Sequence, residues 1–368
     1  YLRDVARDVG VYAHLHTHAD VIRQVWDDGR AVWQLELADG RAVTARFVIS
    51  AVGGYINAKT DVPIDGIGDF TGRIMRPNDW DDDYDVRGKR VAVIGTGSSG
   101  VQIAAALAPL AAHLDVYQRT PAWVLPKVDF DFTPRVRSVL RLPGVLPGID
   151  WAGRLLMDLT LVGPLCHLWA RLPERALVRL MPLYDAYCRA LYRTYLRFVV
   201  RDKQTRGELL PRYGILAKRP VISSSFLPIF NRPDTTLVTT GIDRITPTGV
   251  RTADGEERPA DLIVAATGYE LWTDPETYRP GTIIGRDGTD LAQQYRRHGL
   301  QSYAGSAYPG LPKRWELVGP LGFVGFAWFD YLEMVTTHAV RIIDETRTRG
   351  AAVAEVTAPA FARRNRKL

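Results

Sequence analysis

Lys89-Arg90-Val91-Ala92-Val93-Ile94-Gly95-Thr96-Gly97-Ser98-Ser99-Gly100-Val101-Gln102-Ile103 is the stretch whose reading decides the fold. A short apolar strand runs into G-x-G-x-x-G and then into a helix expected over residues 101–108. The first glycine permits a tight turn, the second lets the backbone approach a pyrophosphate, and the third lets helix and strand pack closely. The helix N-terminus offers free N–H groups and a partial positive charge to phosphates. A second strand, residues 114–117, follows in order. At its end an NAD-binding unit carries an acidic residue for the ribose hydroxyls. This chain has Gln118-Arg119-Thr120-Pro121 instead, with Arg119 nineteen residues after Gly100. A guanidinium suits the 2′-phosphate of NADP through charge-assisted bidentate hydrogen bonds. Asp115 lies inside the strand, too early for the ribose role. The expected cradle is therefore of the NADP type, built from Gly95, Thr96, Gly97, Ser98, Ser99, Gly100, Gln102, Arg119 and Thr120.

Outward from this motif, 368 residues are enough for two or three domains. The formal net charge is +6, but the basic residues are scattered. No Lys/Arg-rich run marks a nucleic-acid surface, so nucleic acid is not an expected partner. The two cysteines, Cys166 and Cys188, exclude a disulfide scaffold and point to a reducing cytoplasm. No neighbouring Cys/His set completes a metal site with them. The apolar stretch 151–170 is interrupted by Arg154, Asp158 and Pro164. It is expected to be a buried core helix, with no membrane span or membrane association. The chain has no initiator Met, and Tyr1-Leu2-Arg3-Asp4-Val5-Ala6 reads as the middle of a helix. The sequence is thus expected to begin inside a domain.

Residues 1–9 read as helix and residues 11–18 as a strand, with His14, His16 and His18 on one exposed face. Strands at 31–37 and 46–51 are expected to join through a turn at Asp39-Gly40. An internal echo then appears. Ala38-Asp39-Gly40 precedes Phe47-Val48-Ile49-Ser50-Ala51-Val52-Gly53, and Ala253-Asp254-Gly255 precedes Leu262-Ile263-Val264-Ala265-Ala266-Thr267-Gly268. The spacing between the two glycines is the same in both. Each copy reads as a polar hairpin turn followed by a buried parallel strand, which implies two related nucleotide-binding modules. Residues 133–210, rich in Leu, Arg and Tyr, read as several inserted helices, and residues 329–345 as another amphipathic helix.

A further basic pair, Lys218-Arg219-Pro220, marks an ordered turn. With it, the sequence resembles the Baeyer–Villiger monooxygenases, within the flavin-containing monooxygenases. The resemblance covers nearly the whole chain. It rests on residues 88–100, on Gln118-Arg119-Thr120-Pro121, on Lys218-Arg219-Pro220, and on Asp261 leading to Ala266-Thr267-Gly268-Tyr269. The family fingerprint F-x-G-x-x-x-H-x-x-x-W-P/D is matched at Phe70, Gly72, Trp80 and Asp81, with Arg76 in the histidine position.

The resemblance implies an α/β fold of two Rossmann-like modules, with a helical insertion at about 133–210. A partial FAD module would occupy residues 1–60 and an NADP module residues 61–265. Residues 266–368 would return to the FAD module, whose N-terminal glycine loop is absent, leaving it incomplete. It further implies FAD and NADP as cofactors, and O2 and a small-molecule ketone as substrates, with oxidation to an ester or lactone. Arg219 matches the family's active-site arginine over the flavin, where an anionic oxygenated flavin needs a charge that cannot lose its proton. Lys218 matches a 2′-phosphate contact, and Val21 the residue whose backbone meets the FAD adenine. Thr267 and Gly268 match further cofactor-binding positions. Two alternatives stay open. One is oxygenation of nitrogen or sulfur in a heteroatom substrate, and the other is an NADP-binding fragment without turnover.

Overall fold

Helix α1 (Leu2–Asp8) opens the chain in the computed structural model, which describes residues 1–53, 64–127, 132–157, 172–215, 217–269, 278–320 and 328–366. Gly10, at φ +73°, ends that helix, and a single 3-10 turn follows at Val11–His14. The strand expected over residues 11–18 is therefore not formed. Alternating side chains mimicked a strand, but the left-handed glycine winds the backbone into a turn. His14, His16 and His18 are exposed, and no described cluster of His, Cys, Asp or Glu could hold a metal.

The chain divides into two units, Tyr1–Asn57 with Tyr269–Leu368, and Ala58–Gly268. In the first unit, β1 (Val21–Asp27), β2 (Val32–Leu37) and β3 (Ala42–Ala45) form an antiparallel meander. The Asp39-Gly40 turn joins β2 to β3, not to the strand expected at 46–51. That strand is β4 (Val48–Ser50), which leaves the meander for another sheet.

The second unit runs β5 (Arg73–Met75), β6 (Arg90–Ile94), α2 (Ser98–Leu107), β7 (His113–Tyr117) and β8 (Val124–Leu125). The inserted helices follow as α3 (Pro134–Leu140), α4 (Val145–Met157), α5 (Glu174–Val199) and α6 (Lys203–Glu208). Then come β9 (Val221–Ile222), β10 (Thr235–Val238), β11 (Ile242–Thr246), β12 (Gly249–Thr252), β13 (Glu257–Pro259) and β14 (Leu262–Ala265). Five strands make a parallel sheet in the order β10-β7-β6-β14-β5. Their side chains alternate between two cores. Val91, Val93, Leu114 and Val264 pack with Val101 and Ala104 of α2, while Ala92, Ile94, Tyr117 and Ile263 pack with Ile245 and Val250 of the β11–β13 meander. Both faces are covered, which is why these strands are almost continuously apolar.

The first unit resumes with β15 (Ile283–Ile284), α7 (Leu291–His298), β16 (Arg314–Glu316), α8 (Trp328–Thr348) and α9 (Ala358–Asn365). β15 pairs in parallel with β1, and β16 with β4. Trp33 is fully buried there, donating from its indole N–H to the Pro312 carbonyl at 2.7 Å.

The echo is architectural. Each unit contains a three-stranded antiparallel meander whose second turn holds a glycine at φ +86°, Gly40 or Gly255. Each glycine N–H donates back to the residue three before it. A parallel strand follows, and a left-handed glycine lies beyond it, Gly53 at +68° or Gly268 at +111°.

One sequence expectation for the insertion needs revision. Trp151, expected in a buried helix, is 66% exposed on α4, because that helix turns its large apolar side chains outward. Residues 158–170, including Cys166, lie outside the described residues; Cys188 is half-buried in α5. Among the described residues, no helix is long and apolar enough to cross a membrane.

Candidate functional site

The chain leaves β6 at Gly95, whose φ of +110° only glycine adopts without strain. Its N–H donates to the Tyr117 carbonyl at 3.1 Å. A Cβ at Gly95 would stand 2.5 Å from the Ala266 carbonyl oxygen, and one at Gly100 would run into the carbonyl of Gly95 itself. Gly97 differs: a Cβ there would meet nothing within 4 Å. Gly97 is the extended N-cap residue of α2, and no side chain caps that terminus. The helix begins three residues earlier than the sequence suggested, so Ser98, Ser99 and Gly100 form its first turn. The first intrahelical bond is Val101 N–H to the Gly97 carbonyl at 2.9 Å. The preceding amides have no helical acceptor, and they border the open space above Gly97. Thr96, 8% exposed, donates to the Thr120 carbonyl at 3.4 Å and ties the loop to the end of β7. Gln102 folds back to donate to the Ser98 carbonyl at 3.1 Å.

Past β7, Gln118 is buried. Its backbone N–H donates to Val238 O at 2.8 Å and its side-chain amide to Glu208 O at 3.0 Å. Arg119 and Thr120 then emerge exposed. Arg119 makes no hydrogen bond or ion pair with the described residues, leaving its guanidinium free for a ligand. Asp115, by contrast, is buried and already engaged with Arg258 at 3.2 Å and His113 at 3.3 Å.

Strand β8 pairs in parallel with β9, so the segment after Arg119 runs beside the segment after Arg219. Trp123 anchors this junction. Its carbonyl accepts from Val221 N–H at 2.7 Å, and its indole N–H donates to Tyr213 O at 3.3 Å. Lys218 lies with its ammonium 5.0 Å above the Tyr213 ring, and Arg219 is exposed next to it. Sequence reasoning missed Gln118, Trp123 and Tyr213 as supports. The one available signal was the aromatic residue two positions after Pro121.

Thr267 and Gly268 leave β14, which pairs with β6 through Ala265 and Ile94. Strand β5 pairs Met75 with Val264, so Arg76 falls in the next row, level with Ala265 at the same edge of the sheet. The Arg76 Nε is buried without a hydrogen-bond partner among the described residues. The fingerprint glycine has a packing reason: a Cβ at Gly72 would lie 2.6 Å from both the Phe70 ring and the Asp261 carbonyl. Asp261 pins the starts of β14 and β6 by accepting from Arg90 N–H at 2.8 Å and its guanidinium at 2.9 Å. The Arg90 side chain, and then the Arg90 backbone, hold this carboxyl below its ordinary pKa. Val21 belongs to the other unit, where it is the exposed first residue of β1, opposite Leu37.

Sequence comparison matches a family described as flavin-binding monooxygenase-like over residues 26–137. A Baeyer–Villiger monooxygenase of Pseudomonas aeruginosa is 30% identical over 355 residues, covering 95% of this chain and 63% of that protein. A Baeyer–Villiger monooxygenase of Streptomyces coelicolor is 32% identical over 325 residues, covering 87% and 58%. Among solved structures, an oxidized steroid monooxygenase bound to NADP superposes with a TM-score of 0.79 at 27% identity, covering 98% of this chain and 73% of that one.

This chain belongs to the flavin-binding monooxygenase-like family. Its mixed α/β architecture with a parallel sheet resembles that of solved Baeyer–Villiger monooxygenase structures. The chain spans about six-tenths of the length of the two bacterial relatives.

Proposed function

We propose that this chain is the pyridine-nucleotide core of an NADPH-using, FAD-dependent monooxygenase. It would insert one oxygen atom of O2 into a ketone to give an ester or lactone. The observation that carries the reading is the pairing of an open glycine loop at an uncapped helix with a free guanidinium at the end of the adjacent strand. Relatives and solved structures bearing Baeyer–Villiger and steroid monooxygenase names support the reaction class.

These residues fit NADP. The first-turn amides of α2 take the pyrophosphate over the bare face of Gly97, and Thr96 keeps the loop closed under Thr120. Arg119 and Lys218 supply two cations for a 2′-phosphate. Thr267 and Gly268 border the switch point between β6 and β14, where dinucleotides cross such sheets. When bound, NADPH supplies a hydride. Arg219, next to Lys218, places a permanent positive charge where an anionic reacting group is to be held.

The fit for FAD is partial. Val21 offers a backbone contact at the head of β1, but residues 1–57 and 269–368 contain no G-x-G-x-x-G. No step is therefore assigned to the flavin. We place the protein in the cytoplasm on its cysteine usage.

Arg119→Ala should weaken NADPH binding by about 1–3 kcal/mol while leaving NADH binding almost unchanged. Equal losses in titrations of both nucleotides would remove the 2′-phosphate role. Turnover is tested by offering a ketone and a thioether together: sulfoxide without any ester assigns heteroatom oxygenation instead. The other reading is an NADP-binding module without turnover. Purification of a yellow protein with stoichiometric FAD excludes it.

A further inference from the structure

Helix α5 carries a surface that the nucleotide reading does not use. Its Cys188, Tyr192, Tyr195, Leu196 and Val199 face the core of the second unit. Leu180, Leu183, Tyr187, Leu191 and Phe198 are exposed, Phe198 at 86%. At 3.6 residues per turn these five fall within about 80° of arc, along one line of the helix. Between Leu180 and Phe198 the line extends about 27 Å at 1.5 Å per residue.

A second row runs beside it. Arg175, Arg179, Arg193 and Arg197 are all exposed and fall within about 40° of arc, centred roughly 100° from the apolar line. They lie on the side away from the buried face. The helix has five arginines and two acids, and one of those acids, Asp185, is turned inward to accept from Ile215 N–H at 3.2 Å. The outward surface therefore presents an apolar strip, interrupted by Thr194, whose hydroxyl donates to the Ala190 carbonyl at 3.1 Å, with a cationic border. On α3 and α4, Val139, Leu146, Ile149 and Trp151 are likewise more than half exposed.

We propose that α5 lies on an anionic phospholipid bilayer, flat in the interface, with its apolar line among the acyl chains and its arginine row at the phosphates. Several features select this partner. Exposed Leu, Tyr and Phe on one face beside Arg on the next is the composition of an interfacial helix. Guanidinium groups bind phosphate in bidentate fashion and tolerate partial dehydration. An anionic bilayer brings apolar area and negative charge together in one plane. Association is peripheral, since no described helix is long and apolar enough to span. It departs from the sequence expectation, which gave the insertion a buried core helix and no membrane association. It goes beyond the oxygenase reading and does not depend on it.

Co-sedimentation of the full chain with vesicles tests this. The chain should pellet with phosphatidylcholine–phosphatidylglycerol vesicles and stay in solution with phosphatidylcholine alone. Each arginine neutralised in Arg193→Gln and Arg197→Gln should lower partitioning about fivefold. Leu183→Ser with Leu191→Ser should lower it further, with melting temperature and NADP+ affinity unchanged in all variants. Tyr187→Trp provides a second readout, a blue-shifted emission on adding anionic vesicles. No pelleting with anionic vesicles, equal pelleting with neutral ones, or indifference to the arginine exchanges would overturn the proposal. So would a dimer in sedimentation equilibrium that Leu183→Ser and Leu191→Ser dissolve, because the strip would then belong to a second copy.

Discussion

A methyl group added at Gly100 would be driven into the Gly95 carbonyl oxygen, whereas one added at Gly97 meets no protein atom within 4 Å. The two glycines therefore differ: packing demands Gly100, while Gly97 leaves open the space that the proposed function gives to a ligand. Gly100→Ala should destabilise the second unit by about 1–3 kcal/mol through overpacking. Gly97→Ala should leave the melting temperature in place and weaken NADP+ binding by about 1–3 kcal/mol. Thermal melts and nucleotide titrations on the pair separate the cases. Asp261 gives a pH signature. Its folded pKa is depressed by Arg90, so its stabilisation is complete above the unfolded value of about 3.9. It is lost as pH falls through the folded pKa. In urea melts, the stability gap between wild type and Asp261→Asn should narrow below about pH 4. At this scale the glycine loop and the place of Arg119 just beyond β7 were legible, because both follow from backbone chemistry and order along the chain. The Gln102 amide folded back onto Ser98 and the buried Arg76 Nε were not, since both depend on contacts that spacing does not encode.

Hairpins were read unevenly. The Asp39-Gly40 and Asp254-Gly255 turns were visible because a left-handed residue demands glycine. In both, a Cβ would meet nothing, so Gly40→Ala and Gly255→Ala isolate the backbone cost. Each should destabilise its own unit by about 1–2 kcal/mol, checked by calorimetry. A large difference between the two would argue against equivalent meanders. Strand β1 escaped notice because its sequence, Val-Ile-Arg-Gln-Val-Trp-Asp, has no clean alternation. Its partner β15 is only two residues long and pairs Gln24 with Ile283 across most of the chain. Strands β8 and β9, also two residues each, are too short to show any period. The false strand at residues 11–18 had the period without a partner, and a strand needs both.

For the molecule as a whole, the two-module reading followed from the echo and the resemblance, while the apolar outer face of α5 did not. Hydrophobic periodicity says that a helix has a face, not whether the protein covers it. If NADP+ belongs to the second unit alone, saturating nucleotide stabilises that unit selectively. At one hundred times Kd the gain is about 2.7 kcal/mol. Calorimetry should show one of two transitions moving, and equal movement of both would place the ligand elsewhere.

The interleaved order of the units also bears on how the protein is made. The second unit is one unbroken stretch, Ala58–Gly268, and can fold as soon as it clears the ribosome. The first unit is interrupted, because β1 must wait for β15 and β4 for β16. At ordinary elongation speeds that wait is on the order of 10–50 s. Throughout it, strand edges that will later be covered stand open on the nascent chain, a natural point for a chaperone to hold it.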